Sequence, residues 1–145
     1  MIFREMQDKD VEPVAALWRD CGLTRAWNDP YKDIAFARAN ETSTILVGEI
    51  EDRLAASVMA GHDGHRGMFY YIAVAPDLRG KGFGKQAVRA GESWLRKRGI
   101  WKINLLVRAE NAEVRGFYER LGYEVNPVMC MGRRFASSDN DGPAP

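Results

Sequence analysis

An excess of charge of one sign is what this chain lacks: 21 Lys and Arg stand against 20 Asp and Glu, a net charge of +1. That balance excludes a global electrostatic pull toward nucleic acid or an acidic membrane surface, so anion binding has to be local. Cysteine is scarce. Cys21 and Cys130 are too few and too far apart for a disulfide framework or a thiolate zinc site, and both are expected as reduced thiols with a packing role in a cytoplasmic protein. Long apolar runs are missing as well. No stretch approaches the roughly 20 residues of a membrane span, and Met1-Ile2-Phe3-Arg4 opens no signal-peptide pattern. The run Ala136 to Pro145 has no large apolar residue and is expected as a disordered tail. Residues 1–135 then read as one domain, long enough to bury a core without staples.

What is present is periodic. Ile2 to Met6 reads as a strand, and Asp8 or Asp10 caps a helix with Val11, Val14, Leu17 and Trp18 at helical spacing, ended by Gly22. Asp29 caps a second helix, with Pro30 in its first turn, running to about Ala39. Thr44–Val47 and Leu54–Ala60 read as strands joined at a Glu51-Asp52 hairpin, and residues 61–67 as a loop. Phe69 to Val74 is a continuous apolar run, expected as a central strand buried on both faces. A helix then runs to about Arg98 with Phe83, Ala87, Ala90, Gly91, Trp94 and Leu95 on its apolar face, ended by Gly99. Ile103–Val107 is a strand, Asn111–Leu121 a helix closed by Gly122, and Tyr123–Val125 and Met129–Phe135 are expected as final strands. The order β-α-α-β-β-β-α-β-α-β-β predicts an α/β fold, a mixed central sheet flanked by helices.

Between the Phe69–Val74 strand and its following helix lies Arg79-Gly80-Lys81-Gly82-Phe83-Gly84-Lys85. A helix start leaves backbone N–H groups unpaired under a positive dipole end, and glycines let a phosphate approach them. Arg79, Lys81 and Lys85 add full charges, which suits a diphosphate better than a single carboxylate. A Walker loop needs four residues between its first glycine and the Gly-Lys pair, then Ser or Thr. Here three separate Gly80 from Gly84-Lys85, and Gln86 follows, which argues against a nucleotide hydrolase. The Gly80-x-Gly82-x-Gly84 spacing also misses the dinucleotide fingerprint. A plain structural turn is the remaining alternative.

The signature R-x-x-G-x-G, complete at Arg79, Gly82 and Gly84, and the string from Ile72 to Gly84 resemble the GNAT N-acetyltransferases. About 30 residues on, Asn111-Ala112-Glu113-Val114-Arg115-Gly116-Phe117-Tyr118-Glu119-Arg120-Leu121-Gly122-Tyr123 resembles that family's second motif. The likeness runs from about Ile2 to Phe135, and its general shape is similar to small bacterial members related to ribosomal-protein alanine acetyltransferases. It implies acetyl-coenzyme A as cosubstrate, bound by Ile72, Ala73, Val74 and residues Arg79 to Lys85 in a split between the Phe69–Val74 and Ile103–Val107 strands. Backbone groups of Ile72 and Val74 would hydrogen-bond the pantetheine arm, Asn111 would contact the same arm, and Tyr118 would point its hydroxyl at the thioester sulfur. A homodimer is compatible with the family. No metal, nucleic-acid or membrane partner is expected.

A tyrosine, with pKa about 10, stays protonated at neutral pH and can donate to a departing thiolate. The alternative for Tyr118 is packing of its helix onto the sheet. The acceptor is a primary amine of a small molecule or of a protein, and it must lose a proton before attack. Glu49, His62, Asp63 and His65 are the candidate bases, with solvated loop positions as the alternative for the histidines. Trp27 either walls the acceptor pocket or closes the core beneath its loop. A non-catalytic acyl-coenzyme A-binding module is the runner-up for the whole chain.

Overall fold

The computed structural model describes residues 1–136; the expected tail, Ala136 apart, lies outside the described residues. The chain divides into two compact units, Met1–Asn104 and Leu105–Pro145. In the first, β1 (Ile2–Glu5), β2 (Ser43–Ile50), β3 (Arg53–His62) and β4 (Gly67–Val74) pair antiparallel in chain order, and β5 (Ile103–Asn104) adds parallel to β4. Glu51 and Asp52 sit at φ 49° and 61°, the two-residue turn whose twist matches a right-handed hairpin. The expected loop over residues 61–67 shrinks to four residues. Asp63 Oδ1 accepts from the N–H groups of His65 and Arg66 at 2.8 and 2.7 Å, an Asx turn tight enough for β3 to continue to His62.

Three helices cover the sheet. α1 (Val11–Asp20) and α2 (Pro30–Arg38) pack on one face, where Val14, Leu17, Trp18, Ile34 and Ala37 form a buried cluster with Ile45, Val47, Ala55, Ala73 and Ala75. α3 (Phe83–Arg96) covers the other with Ala87, Val88, Gly91, Trp94 and Leu95. A β-carbon at Gly91 would lie 2.6 Å from the ring of Phe69, so glycine there lets the helix settle directly on β4. Asp29 caps α2 as expected, accepting from Tyr31 N–H at 2.9 Å with Pro30 in the first turn. Asp10 occupies the position before α1, yet its carboxylate accepts from Arg4 and from Gln7 N–H and makes no cap bond. No helix of the described residues is long and apolar enough to cross a membrane.

Four expectations change. β4 is not buried on both faces: Tyr70 is 48% exposed, because a cleft opens beside it. The strand expected over Ile103–Val107 covers only Ile103–Asn104. In the second unit α4 (Ala112–Arg120) forms, but the strands expected at Tyr123–Val125 and Met129–Phe135 do not, and among the described residues no strand follows α4. Val125, Val128, Met129, Met131 and Phe135 are 70% to 91% exposed. β-propensity describes fit to a partner strand and a covering face, and these residues have neither in the ladder. Cys130 is exposed rather than packed, whereas Cys21 is half-buried, its Sγ donating to the carbonyl of Val74.

Candidate active site

The first unit's site begins with an irregularity in β4. Ser57 pairs with Ala73 and Met59 with Tyr70, so two steps along β3 face three along β4. The extra residue makes a β-bulge. Its consequence is a change of face: Phe69 meets α3, whereas Tyr71, two residues on, stacks on Trp18 of α1 with centroids 3.7 Å apart and planes 7° from parallel. An unbroken strand would send both side chains the same way. Tyr71 has φ 51°, a left-handed value that costs a bulky residue about 1–3 kcal/mol. Buried contacts offset that strain. Trp18 Nε1 donates to Ser57 Oγ at 2.9 Å, and Ser57 Oγ donates to the Tyr71 carbonyl at 2.9 Å.

Beyond the bulge, β4 has a free edge. The β4–β5 ladder holds only at Gly67–Ile103 and Met68–Asn104, so among the described residues 69–74 have no strand partner on that side. Ala75 N–H bonds the Ala55 carbonyl at 2.8 Å, and alternation then turns the backbone of Ala73 toward β3 and those of Ile72 and Val74 toward the open edge. The Val74 carbonyl accepts weakly from Arg79 Nε at 3.4 Å.

Next along the chain, Pro76–Leu78 forms a single 3-10 turn. Arg53 clamps it by a two-pronged ion pair to Asp77, both contacts 2.7 Å, and this hydrogen bonding holds the exposed Asp77 carboxyl at about 2. Gly80 and Gly82 follow at φ 78° and 83°, and Gly82 is the N-cap of α3 without a side-chain cap. Among the described residues, chain neighbours apart, nothing lies within 4 Å of a β-carbon built on either glycine. Positive φ therefore demands glycine at both places, and the space in front of the first helical turn is open. The N–H groups of Phe83, Gly84 and Lys85 are the ones that precede the first intrahelical bond, Gln86 N–H to the Gly82 carbonyl. The first turn carries no acid. Arg79, Lys81 and Lys85 are exposed beside it.

On the other side of the bulge is a cleft of about 640 Å³, walled by apolar side chains including Leu23, Phe36, Met59 and Tyr70 and also touched by Ile72. Tyr71 reaches it with its hydroxyl, which donates to Asp33 Oδ2 at 2.6 Å. Burial first, and then Asp33, push the Tyr71 phenol up to about 12, so it remains a donor. The hydrophobic run that marks β4 in the sequence conceals this polar tip. Asp33 was legible only as a helix residue, and neither carried a spacing signal.

The candidate bases do not gather at this cleft. Glu49 accepts from Arg4 Nη2 at 2.6 Å. Asp63 is spent on its turn, and the N–H groups of Arg66 and then His65 hold its carboxyl below the usual range. His62 Nδ1 accepts from Gly64 N–H. Trp27 is 54% exposed, which removes core closure as its role; its neighbours Arg25 and Asn28 line the cleft.

In the second unit Asn111 caps α4, its Oδ1 accepting from Val114 N–H at 3.1 Å. Tyr118 sits edge-on to Phe117 and Tyr123, centroids 5.0 and 5.6 Å away. Burial pushes its phenol up to about 12. Its hydroxyl has no hydrogen-bond partner among the described residues, so the donor is unspent. Packing and proton donation are thus compatible at one residue: the ring is gripped and the hydroxyl is not.

The Acetyltransferase (GNAT) family profile matches residues 11–123. The chain belongs to this family and is an acetyltransferase. An acetyltransferase of Yersinia enterocolitica is 42% identical over 134 residues, 92% of this chain and 95% of that protein, and one of Yersinia pestis matches to the same extent. Among solved structures, AAC(6')-Iy in complex with the bisubstrate analogue CoA-S-monomethyl-acetylneamine superposes with TM-score 0.81 at 15% identity, covering 92% of this chain and 97% of that one. A predicted acetyltransferase of Clostridium acetobutylicum with acetyl-CoA gives 0.75 at 15% identity, covering 91% and 95%. At that identity the likeness is one of fold.

Proposed function

We propose that this acetyltransferase moves the acetyl group of acetyl-coenzyme A to a primary amine by direct attack. The observation that carries the donor half is the uncapped start of α3. Gly82 holds a left-handed φ there, three basic side chains stand beside it, and the space in front is open. The pyrophosphate is assigned to the backbone and side chains of Arg79 to Lys85. The pantetheine arm is assigned to the open β4 edge at Ile72, Ala73 and Val74, with Ile72 and Val74 supplying the outward backbone groups, and to Asn111.

In the reaction the amine lone pair forms a bond to the thioester carbonyl carbon, and the C–S bond breaks to release a thiolate. The nitrogen sheds its proton to solvent. The thiolate accepts a hydrogen bond from the Tyr118 hydroxyl and takes its proton from water as it leaves. A phenol near 12 facing a thiolate whose conjugate acid has a pKa of about 8.5 favours a hydrogen bond over full transfer. Tyr118 therefore works chiefly by stabilising charge as it develops on sulfur. Free thiols at Cys21 and Cys130 suit a reducing, cytoplasmic setting.

The test is calorimetry with acetyl-coenzyme A, followed by an amine and peptide panel read by thiol release. Tyr118→Phe keeps the ring and should lower kcat by about 100-fold, with cofactor affinity unchanged. An unchanged kcat removes Tyr118 from the chemistry. Cofactor binding without amine-dependent thiol release would instead favour a non-catalytic acyl-coenzyme A-binding module.

A further inference from the structure

The apolar cleft beside the bulge contains one carboxylate that the fold does not neutralise. Asp33 Oδ2 accepts from the Tyr71 hydroxyl at 2.6 Å and from Asn28 Nδ2 at 3.2 Å. Both donors are neutral. Among the described residues no cation pairs with Asp33, and its Oδ1 has no hydrogen-bond partner. The other charged group lining the cleft, Arg25, turns Nη1 onto the carbonyls of Gly22 and Thr24 at 2.8 and 2.9 Å. Tyr71 and Asn28 hold the carboxylate in one orientation, and Leu23, Phe36, Met59 and Tyr70 line the same cleft with surface suited to methylene groups.

A carboxylate held by neutral donors at an apolar wall is a receptor for a cation on an apolar stem. Were that cation the attacking amine, pairing would stabilise its protonated form and oppose attack. The useful partner is a second positive group. We infer that the acceptor is a diamine-like molecule, one primary amine being acetylated while a second ammonium group, separated from it by an unbranched apolar stem, is held by Asp33. This rests on the transferase reading above and names its substrate class.

The experiment measures binding of cadaverine and of its amino-alcohol counterpart to the protein saturated with coenzyme A. The two share stem length and differ by one ammonium. The wild-type chain is expected to bind the diamine about ten-fold more tightly. Asp33→Asn preserves an acceptor for Tyr71 and should bring the two within about three-fold, leaving cofactor affinity unchanged. A purely structural role for Asp33 would weaken both acceptors equally, and that result overturns the inference. So does a wild-type protein that binds both alike or neither, an outcome that needs no variant. If acetyl-coenzyme A itself fails to bind, the transferase reading falls and this inference with it; cofactor binding beside an indifferent acceptor site sinks this inference alone.

Discussion

The glycine turn at Gly80–Lys85 and the cleft behind the β4 bulge adjoin the same strand, yet they are built in opposite ways. The turn is made of backbone: two left-handed glycines, unpaired N–H groups and exposed cations, with no buried side chain involved in its shape. The bulge is made of side chains gathered from three elements, with Trp18, Ser57 and Tyr71 bonding or stacking in the interior. A local site of the first kind tolerates distant change and fails when its own dihedrals change. One of the second kind depends on the whole packing of α1 against the sheet. On the proposed reading, donor recognition would be local and the shaping of the acceptor side would not.

The sharpest way to break this contrast is at Gly82. Gly82→Ala places a β-carbon at φ 83° in the space where a phosphate would sit. Acetyl-coenzyme A affinity, read by calorimetry, should fall by about 100-fold, while unfolding costs only about 1 kcal/mol. Equal affinity would mean that the loop is merely a turn. Ser57→Ala should do the reverse. It orphans the buried Trp18 N–H and one bond of the Tyr71 carbonyl, so denaturant unfolding should show about 2 kcal/mol of lost stability, with cofactor binding largely kept. A loss that matches in both measurements would show the two regions to be coupled.

A smaller effect comes from acid. Asp10, at the foot of α1, is 4% exposed, and hydrogen bonds from Arg4 hold its carboxyl below its ordinary value, against the opposing effect of burial. A folded pKa below the unfolded one contributes stability that is present above about pH 3.9 and lost as pH falls through the folded value. The wild type should therefore lose about 1 kcal/mol more than Asp10→Asn across that acid window. Parallel pH curves would remove this ion pair from the account of what seats α1.

How much was legible varied with the range of the interaction. The Glu51-Asp52 turn, the Asp29-Pro30 start of α2 and the glycine turn are all decided within a few residues, and each is where its residue types predicted. The final strands failed for a converse reason. Tyr123–Val125 and Met129–Phe135 read as strands, but a strand exists only against a partner, and among the described residues no ladder forms there. Asp33 and Tyr71 were hidden because a carboxylate on a helix and a tyrosine in an apolar run have many ordinary uses. Only their 2.6 Å contact across the cleft marks them.

By itself, then, the sequence determined the family, the layered α/β architecture and the glycine turn before α3, since glycine dihedrals and helix ends act over neighbouring residues. The bulge that turns Phe69 and Tyr71 to opposite faces, the open edge of β4 and the unneutralised carboxylate at Asp33 were decided by tertiary structure. Each depends on which distant side chains meet, and burial and pairing are properties of the packed molecule rather than of any segment of it.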